Sequence, residues 1–265
     1  MLLMGKEDIS QNSINTEEEN ENRVYGGVSA FTYAHFEGLK SGELTPVYEP
    51  EGLKEENIYT FLQGPVAWES KVPYSGSWCR EYLEGGNFGS FGCGMCCIAN
   101  IYSTLSGYTC SPIDAYDYAR SVSGYSPTPR SGAIGWGDLK NTLKAAGFSC
   151  DVFYKPDNYE AFRDQIKEAK SAVVLVSSYD DDTFWKDTPG HYVNIWAYDE
   201  KTDKVFLAEP GDPVNNRTWV PLEYVYDALK TISKFQYLLV TDYIEENNNW
   251  KHDGIDIDWC KPEDF

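Results

Sequence analysis

Phe88-Gly89-Ser90-Phe91-Gly92-Cys93-Gly94-Met95-Cys96-Cys97-Ile98-Ala99-Asn100 is the stretch from which the fold is best read. Glycines crowd the approach to Cys93, and the small or apolar residues after it include no acid or base. The pattern predicts a tight turn feeding a buried helix, with Cys93 in its first turn. The unpaired N–H groups of a first turn favour an anion. Thiols at helix N-termini or beside a cationic histidine have pKa values of about 3.5–7.5 instead of about 8.5. Cys93 is therefore read as a nucleophile that the rest of the fold serves.

The elements around it follow from local signals. Ile58-Tyr59-Thr60-Phe61-Leu62-Gln63 reads as a short strand stopped by Gly64-Pro65. The Cys93 helix is expected to run to about Leu105, before Gly107. Ser111-Pro112 pairs a cap with a first-turn proline and begins a second helix. Residues 121–135 read as an exposed loop near the site. Leu139, Leu143 and Ala146 mark a third helix, closed by Gly147. The alternating run Phe148 to Tyr154 follows as a strand. Asp157 with Glu160 forms a capping-box pattern for a helix through Ala169. Ala172 to Val176 is a continuous apolar run that suits a central buried strand.

His191 to Tyr198 and Lys204 to Glu209 read as two strands joined by the polar turn Asp199 to Asp203, an antiparallel hairpin. A helix near 221–230 and a strand from Phe235 to Val240 complete the body. Helices first and mainly antiparallel strands afterwards predict an α+β fold.

The chain has 265 residues, of which 42% are hydrophobic and 15% aromatic, enough for a substantial core. Four segments are expected: an acidic, disordered leader over 1–24, an extension over 25–56 docking on the body, the body over 57–242, and an acidic tail over 243–265. Forty-two acidic against 22 basic residues give a formal charge of −20, which argues against nucleic-acid binding. No run approaches the roughly 20 apolar residues of a membrane span. No signal-peptide core is visible behind Met1, so a cytoplasmic location is favoured unless a leader was trimmed.

A thiol nucleophile needs a base, a group to orient that base, and donors for the oxyanion. The sequence holds three histidines. His35 sits among aromatics in the extension and His252 in the polar tail. His191 follows Pro189-Gly190 and opens a strand, where a cleft could use its ring. The paired strand supplies Glu209, with Asp212 as second choice for the orienting acid. Gln63, at a strand end upstream of the nucleophile, is the expected oxyanion donor.

Gln63, Gly92-Cys93-Gly94, Gly190-His191-Tyr192-Val193 and Glu209-Pro210 together resemble the papain-like cysteine peptidases of the bacteriocin-processing, or double-glycine leader peptidase-like, family. The chain departs from that family's pattern in carrying Met95-Cys96 for Pro-Thr and Glu209 for Asp. The resemblance implies a papain-like fold, with a nucleophile-bearing helix packed on an antiparallel sheet. It further implies hydrolysis of a peptide or amide bond in a peptide or protein substrate, through a thioester. No cofactor and no metal are expected.

Three alternatives compete. The seven cysteines include Cys93-x-x-Cys96 with Cys97, Cys79 and Cys110, a spacing that hints at zinc. No second close Cys or His pair follows at the distance that structural zinc sites use, so Cys96 and Cys97 are expected to pack behind Cys93. A relative that has kept the cleft as a catalytically inactive binding module is the second. A cell-wall amidase or acyltransferase with the same triad is the third. Asp253, Asp256 and Asp258 lack the spacing of a calcium loop.

Overall fold

The computed structural model describes residues 53–84, 86–128, 132–178, 184–185 and 187–264. The expected leader, most of the extension and His35 lie outside the described residues. A six-stranded sheet forms the centre: β3 (Ala146–Phe153), β4 (Ser171–Val176), β5 (His191–Asp199), β6 (Lys204–Ala208), β7 (Thr218–Pro221) and β8 (Tyr237–Asn248), in the order β3-β8-β4-β5-β6-β7. Every neighbouring pair is antiparallel. Two further strands, β1 (Tyr82–Leu83) and β2 (Gly86–Asn87), form a separate hairpin.

The helices lie on both faces, so the architecture is α+β, as the order of elements predicts. After the short helices α1 (Pro65–Glu69) and α2 (Phe88–Phe91), the long helices α3 (Cys93–Leu105), α4 (Pro112–Ser123) and α5 (Trp136–Ala145) share a core with Val173 and Leu175 of β4, Tyr192 and Trp196 of β5, and Phe206 and Ala208 of β6. The alternate residues Ala172, Val174 and Val176, Val193 and Ile195, and Val205 and Leu207 face a second core with α6 (Tyr159–Lys167) and α7 (Leu222–Ala228). Both faces of β4 are covered, so its apolar run does not alternate with polar residues.

Ser111 caps α4 with a reciprocal capping box to Asp114, and Gly124 closes the helix at φ +74°. Gly147, at φ +94°, lets α5 pass straight into β3. A Cβ there would stand 2.8 Å from the Ile244 carbonyl oxygen.

Several local expectations need correction. Ile58 to Gln63 is buried and extended but joins no sheet, because its N–H groups find partners outside one. Tyr59 N–H donates to Thr104 Oγ1, Phe61 N–H to Asn100 Oδ1, Leu62 N–H to Tyr74 O and Gln63 N–H to Pro210 O. The loop at 121–135 begins only after Ser123 and buries Tyr125 and Ile134. Helix α6 is capped by Asn158, whose side chain accepts from Ala161 N–H at 2.9 Å, and not by Asp157. The 242/243 boundary falls inside β8. Beyond the strand the chain packs on the body: Trp250 stacks on Tyr118 at 4.4 Å and 4°, and residues 258–260 bond to residues 74–77. Among the described residues, no helix is long and apolar enough to cross a membrane.

Asn100 joins three elements. It accepts from Phe61 N–H at 2.7 Å and donates to Asn194 Oδ1 of β5 at 3.0 Å, fully buried. Replacing it by Leu would leave the Phe61 N–H unpaired. A buried donor without a partner costs about 1–3 kcal/mol. Chemical denaturation of Asn100→Leu is expected to show a loss of that order, while an unchanged midpoint would contradict the pinning role.

Candidate active site

The approach to Cys93 is itself helical. The short α2 (Phe88–Phe91) is capped by Asn87, whose side chain accepts from Gly89 N–H at 2.8 Å, and runs through Gly92 into α3. The glycines flanking Cys93 are there for space. A Cβ on Gly92 would stand 2.3 Å from the Phe88 ring, and one on Gly94 would stand 2.5 Å from Ile134 Cγ2. Contacts that close are excluded for real side chains, so Gly-Cys-Gly is what lets α2, α3 and the 132–136 segment converge around the thiol. Cys93 opens α3 with no side-chain cap and no acid in the first turn. Cys96 and Cys97 lie fully buried behind it, and burial pushes both thiols well above the ordinary value.

His191, the first residue of β5, meets that helix end. Its Nε2 is hydrogen-bonded to Glu209 Oε1, and the ring lies close enough to the Cys93 side chain to feel it electrostatically, while Cys93 Sγ stands 3.9 Å from Phe91 O. Burial alone would lower the imidazole pKa. The Glu209 carboxylate and the Cys93 sulfur outweigh burial and raise it to about 10, so His191 is an imidazolium at neutral pH.

Glu209 follows β6 directly and is 2% exposed. Besides His191 it accepts from Gly211 N–H at 2.9 Å on Oε1 and from the Trp185 indole N–H at 2.8 Å on Oε2. Both oxygens are thus fixed, and the longer side chain reaches the imidazole. A Cβ at Gly211 would lie 3.2 Å from His191 Nε2, so a side chain there crowds the ring. Asp212 turns elsewhere: its carboxylate caps the next turn, accepting from Val214 N–H and from Asn215 Nδ2. Of the two acids named from the sequence, only Glu209 touches the histidine.

Gln63 is buried where α2 meets the 209–212 turn. Its backbone N–H donates to Pro210 O at 2.8 Å, and its side-chain Nε2 donates to Gly89 O at 2.7 Å. An amide nitrogen carries two hydrogens, so a second donor remains on Gln63, four residues of chain from the nucleophile at its anchor Gly89. Its Oε1 has no partner among the described residues. His252 stacks on Trp250 and faces Asp114, away from this constellation. Among the described residues no group of three or more His, Cys, Asp or Glu is arranged to hold a metal ion.

Residues 131–236 match the family model for phytochelatin synthase. Domains of that kind belong to the papain-like cysteine peptidase and transpeptidase superfamily, which agrees with the nucleophile helix packed on an antiparallel sheet. The matched segment includes His191 and Glu209 and leaves Cys93 and Gln63 outside it. This match does not confirm the bacteriocin-processing family that the motifs resemble. None of the curated proteins matches the chain.

Three contributors to this arrangement escaped the sequence reading. Trp185 holds Glu209 from within a stretch that has no helical or strand period. Asn216 accepts from Glu209 N–H at 3.0 Å and donates to Thr60 O at 2.9 Å, tying the acid to the segment that carries Gln63. Arg217, at φ 64°, spans Ile58 O and Glu55 O with its guanidinium and anchors the same segment. Trp185→Phe keeps the ring and removes the N–H. A neutral donor to a buried carboxylate is worth about 1.5–3 kcal/mol, so turnover of this variant is expected to fall roughly tenfold or more. Unchanged turnover would show that the indole N–H does not position Glu209.

Proposed function

We propose that the chain is a papain-like cysteine enzyme that cleaves an amide bond through a thioester on Cys93. The observation that carries this reading is His191, hydrogen-bonded to the buried Glu209 and placed beside Cys93 at the start of α3. Cys93 attacks the carbonyl as a thiolate. The oxyanion is met by the Cys93 N–H, free at the helix start, and by the second amide hydrogen of Gln63. The imidazolium of His191 then gives its proton to the departing amine. Glu209 holds the ring and its charge through both steps.

The acyl group can pass to water or to an amine. The motif resemblance to bacteriocin-processing peptidases supports hydrolysis, and the family match over 131–236 supports transfer, since phytochelatin synthase-like domains include acyl-transfer enzymes. The buried Glu209–His191 contact weighs against an inactive binding module, because the added methylene leaves the acid in place.

A mixed library of peptide amides, followed by intact-mass analysis, tests the reading. An adduct on Cys93 that hydroxylamine removes is expected, and repeating the incubation with glycinamide separates transfer from hydrolysis by the product formed. No Cys93 adduct and no Cys93-dependent cleavage across the library would count against the proposal.

A further inference from the structure

We propose that Cys93 and Cys96 form a dithiol that hydroperoxides convert to a disulfide across the first turn of α3, protecting the nucleophile from irreversible oxidation. The inference rests on Cys93 as the reactive thiol of the site. It accounts for the Cys93-Gly94-Met95-Cys96 spacing, which neither a metal nor the amide chemistry uses.

Geometry favours this pair. Ideal helix dimensions place Cα atoms three residues apart at about 5 Å, inside the roughly 4.4–6.8 Å that a disulfide accepts. Cys97, four residues on, lies a full turn up the axis, with a rise of about 6 Å against about 4.5 Å for Cys96. Cys93 is the first helical residue, so its N–H is not tied to an intrahelical carbonyl and this turn can tighten. The Cys96 N–H, by contrast, is bonded to Gly92 O at 2.9 Å, which keeps the second cysteine fixed. Exposure divides the roles: Cys93 is 7% exposed and Cys96 is wholly enclosed, so a small peroxide meets Cys93 first. The two thiols are close enough for a charge on Cys93 to raise the pKa of Cys96.

The chemistry balances in two steps. The Cys93 thiolate attacks the peroxide O–O bond and forms a sulfenic acid, and the departing alkoxide or hydroxide takes the proton of His191. The Cys96 thiol then attacks that sulfur, and the hydroxyl leaves as water with the proton Cys96 gives up. Two thiols are oxidised and one peroxide is reduced. An external dithiol reverses the product, whereas a sulfenic acid without a partner proceeds to sulfinic acid and is lost.

The test treats the full chain with a small excess of hydrogen peroxide, alkylates the free thiols and maps the peptides without reduction. Its readout is mass, so it does not depend on any enzymatic activity. The expected product is a Cys93–Cys96 link, with alkylation of Cys93 restored by dithiothreitol. In Cys96→Ala, and in the closer-volume Cys96→Ser, Cys93 is expected to end as sulfinic acid, with recovery down about tenfold. Cys97→Ala should recover like the parent chain. A parent chain that yields sulfinic Cys93 without a link would overturn the proposal, as would Cys93 linked to Cys97 or Cys79. Cys93 left intact while other thiols oxidise would overturn it too, and would also deny that Cys93 is the reactive thiol. Should the link form while no peptide amide is turned over, the dithiol stands and the amide-cleavage reading fails.

Discussion

Cys93→Ala is expected to abolish amide turnover, by about four orders of magnitude or more, while the fold survives. Removing the nucleophile of a catalytic triad leaves only the rate that binding and oxyanion donors supply, and such losses reach about 10⁶ in well-studied cases. The structural cost is small. Cys93 is the first residue of α3, and Ala is smaller than Cys and has good helix propensity. Circular dichroism and the thermal midpoint should therefore match the parent chain while product formation vanishes. Turnover retained within tenfold would place the chemistry on another residue.

Glu209→Gln is the second large effect, and its direction follows from the charge on His191. In the proposed mechanism the imidazolium donates to the leaving amine, so the rate should fall as pH rises through the imidazole pKa. In the parent chain Glu209 helps to raise that pKa to about 10, so the alkaline limb should lie near pH 10. Removing the carboxylate charge lowers the pKa toward the ordinary 6.5, and the limb moves down with it. The glutamine can keep its oxygen toward His191 and Gly211, but its NH₂ then opposes the Trp185 N–H. Loss of the orienting acid costs about 10⁴ in the serine triad, and a cysteine site with its own ion pair should lose about 10²–10⁴. A pH–rate profile of the variant overlaying the parent's would show that Glu209 does not act through His191.

What could be read from the sequence was what repeats along it or stands beside it. The Ser111-Pro112 cap, the apolar run of β4 and the Pro-Gly before His191 each carry their signal within a few residues. What could not be read depends on partners far along the chain. Asn100 and Asn216 look like surface polar residues until folding brings them to backbone groups 39 and 156 positions away, and Asn194 until it accepts from the Asn100 amide. Ile58 to Gln63 has the composition of a strand, yet its N–H groups go to Asn100, Thr104, Tyr74 and Pro210, so the same extended backbone enters no ladder. The C-terminal half of β8 was hidden for a different reason. Tyr237 to Val240 is flanked by both β3 and β4, whereas Asp242, Tyr243 and Asn248 pair with β3 alone. One-sided pairing tolerates acidic and polar residues, so the strand resembles a solvated tail.

The glycines around Cys93 show the same division. Their number marks a crowded turn, but only the structure shows that Phe88 and Ile134 fill the space a Cβ would need. Glu209 likewise differs from the Asp of the resembled family by one methylene. Whether that length is tolerated depends on Trp185 and Gly211, which lie 24 and two positions away.

The central proposal is that His191 activates Cys93 as the nucleophile, and alkylation tests it most directly. Limiting iodoacetamide at pH 6, followed by peptide mapping, should label Cys93 at least about tenfold faster than the other cysteines. In His191→Ala that advantage should disappear. Labelling of Cys93 no faster than that of Cys150 and Cys260, which are equally exposed, would contradict the account.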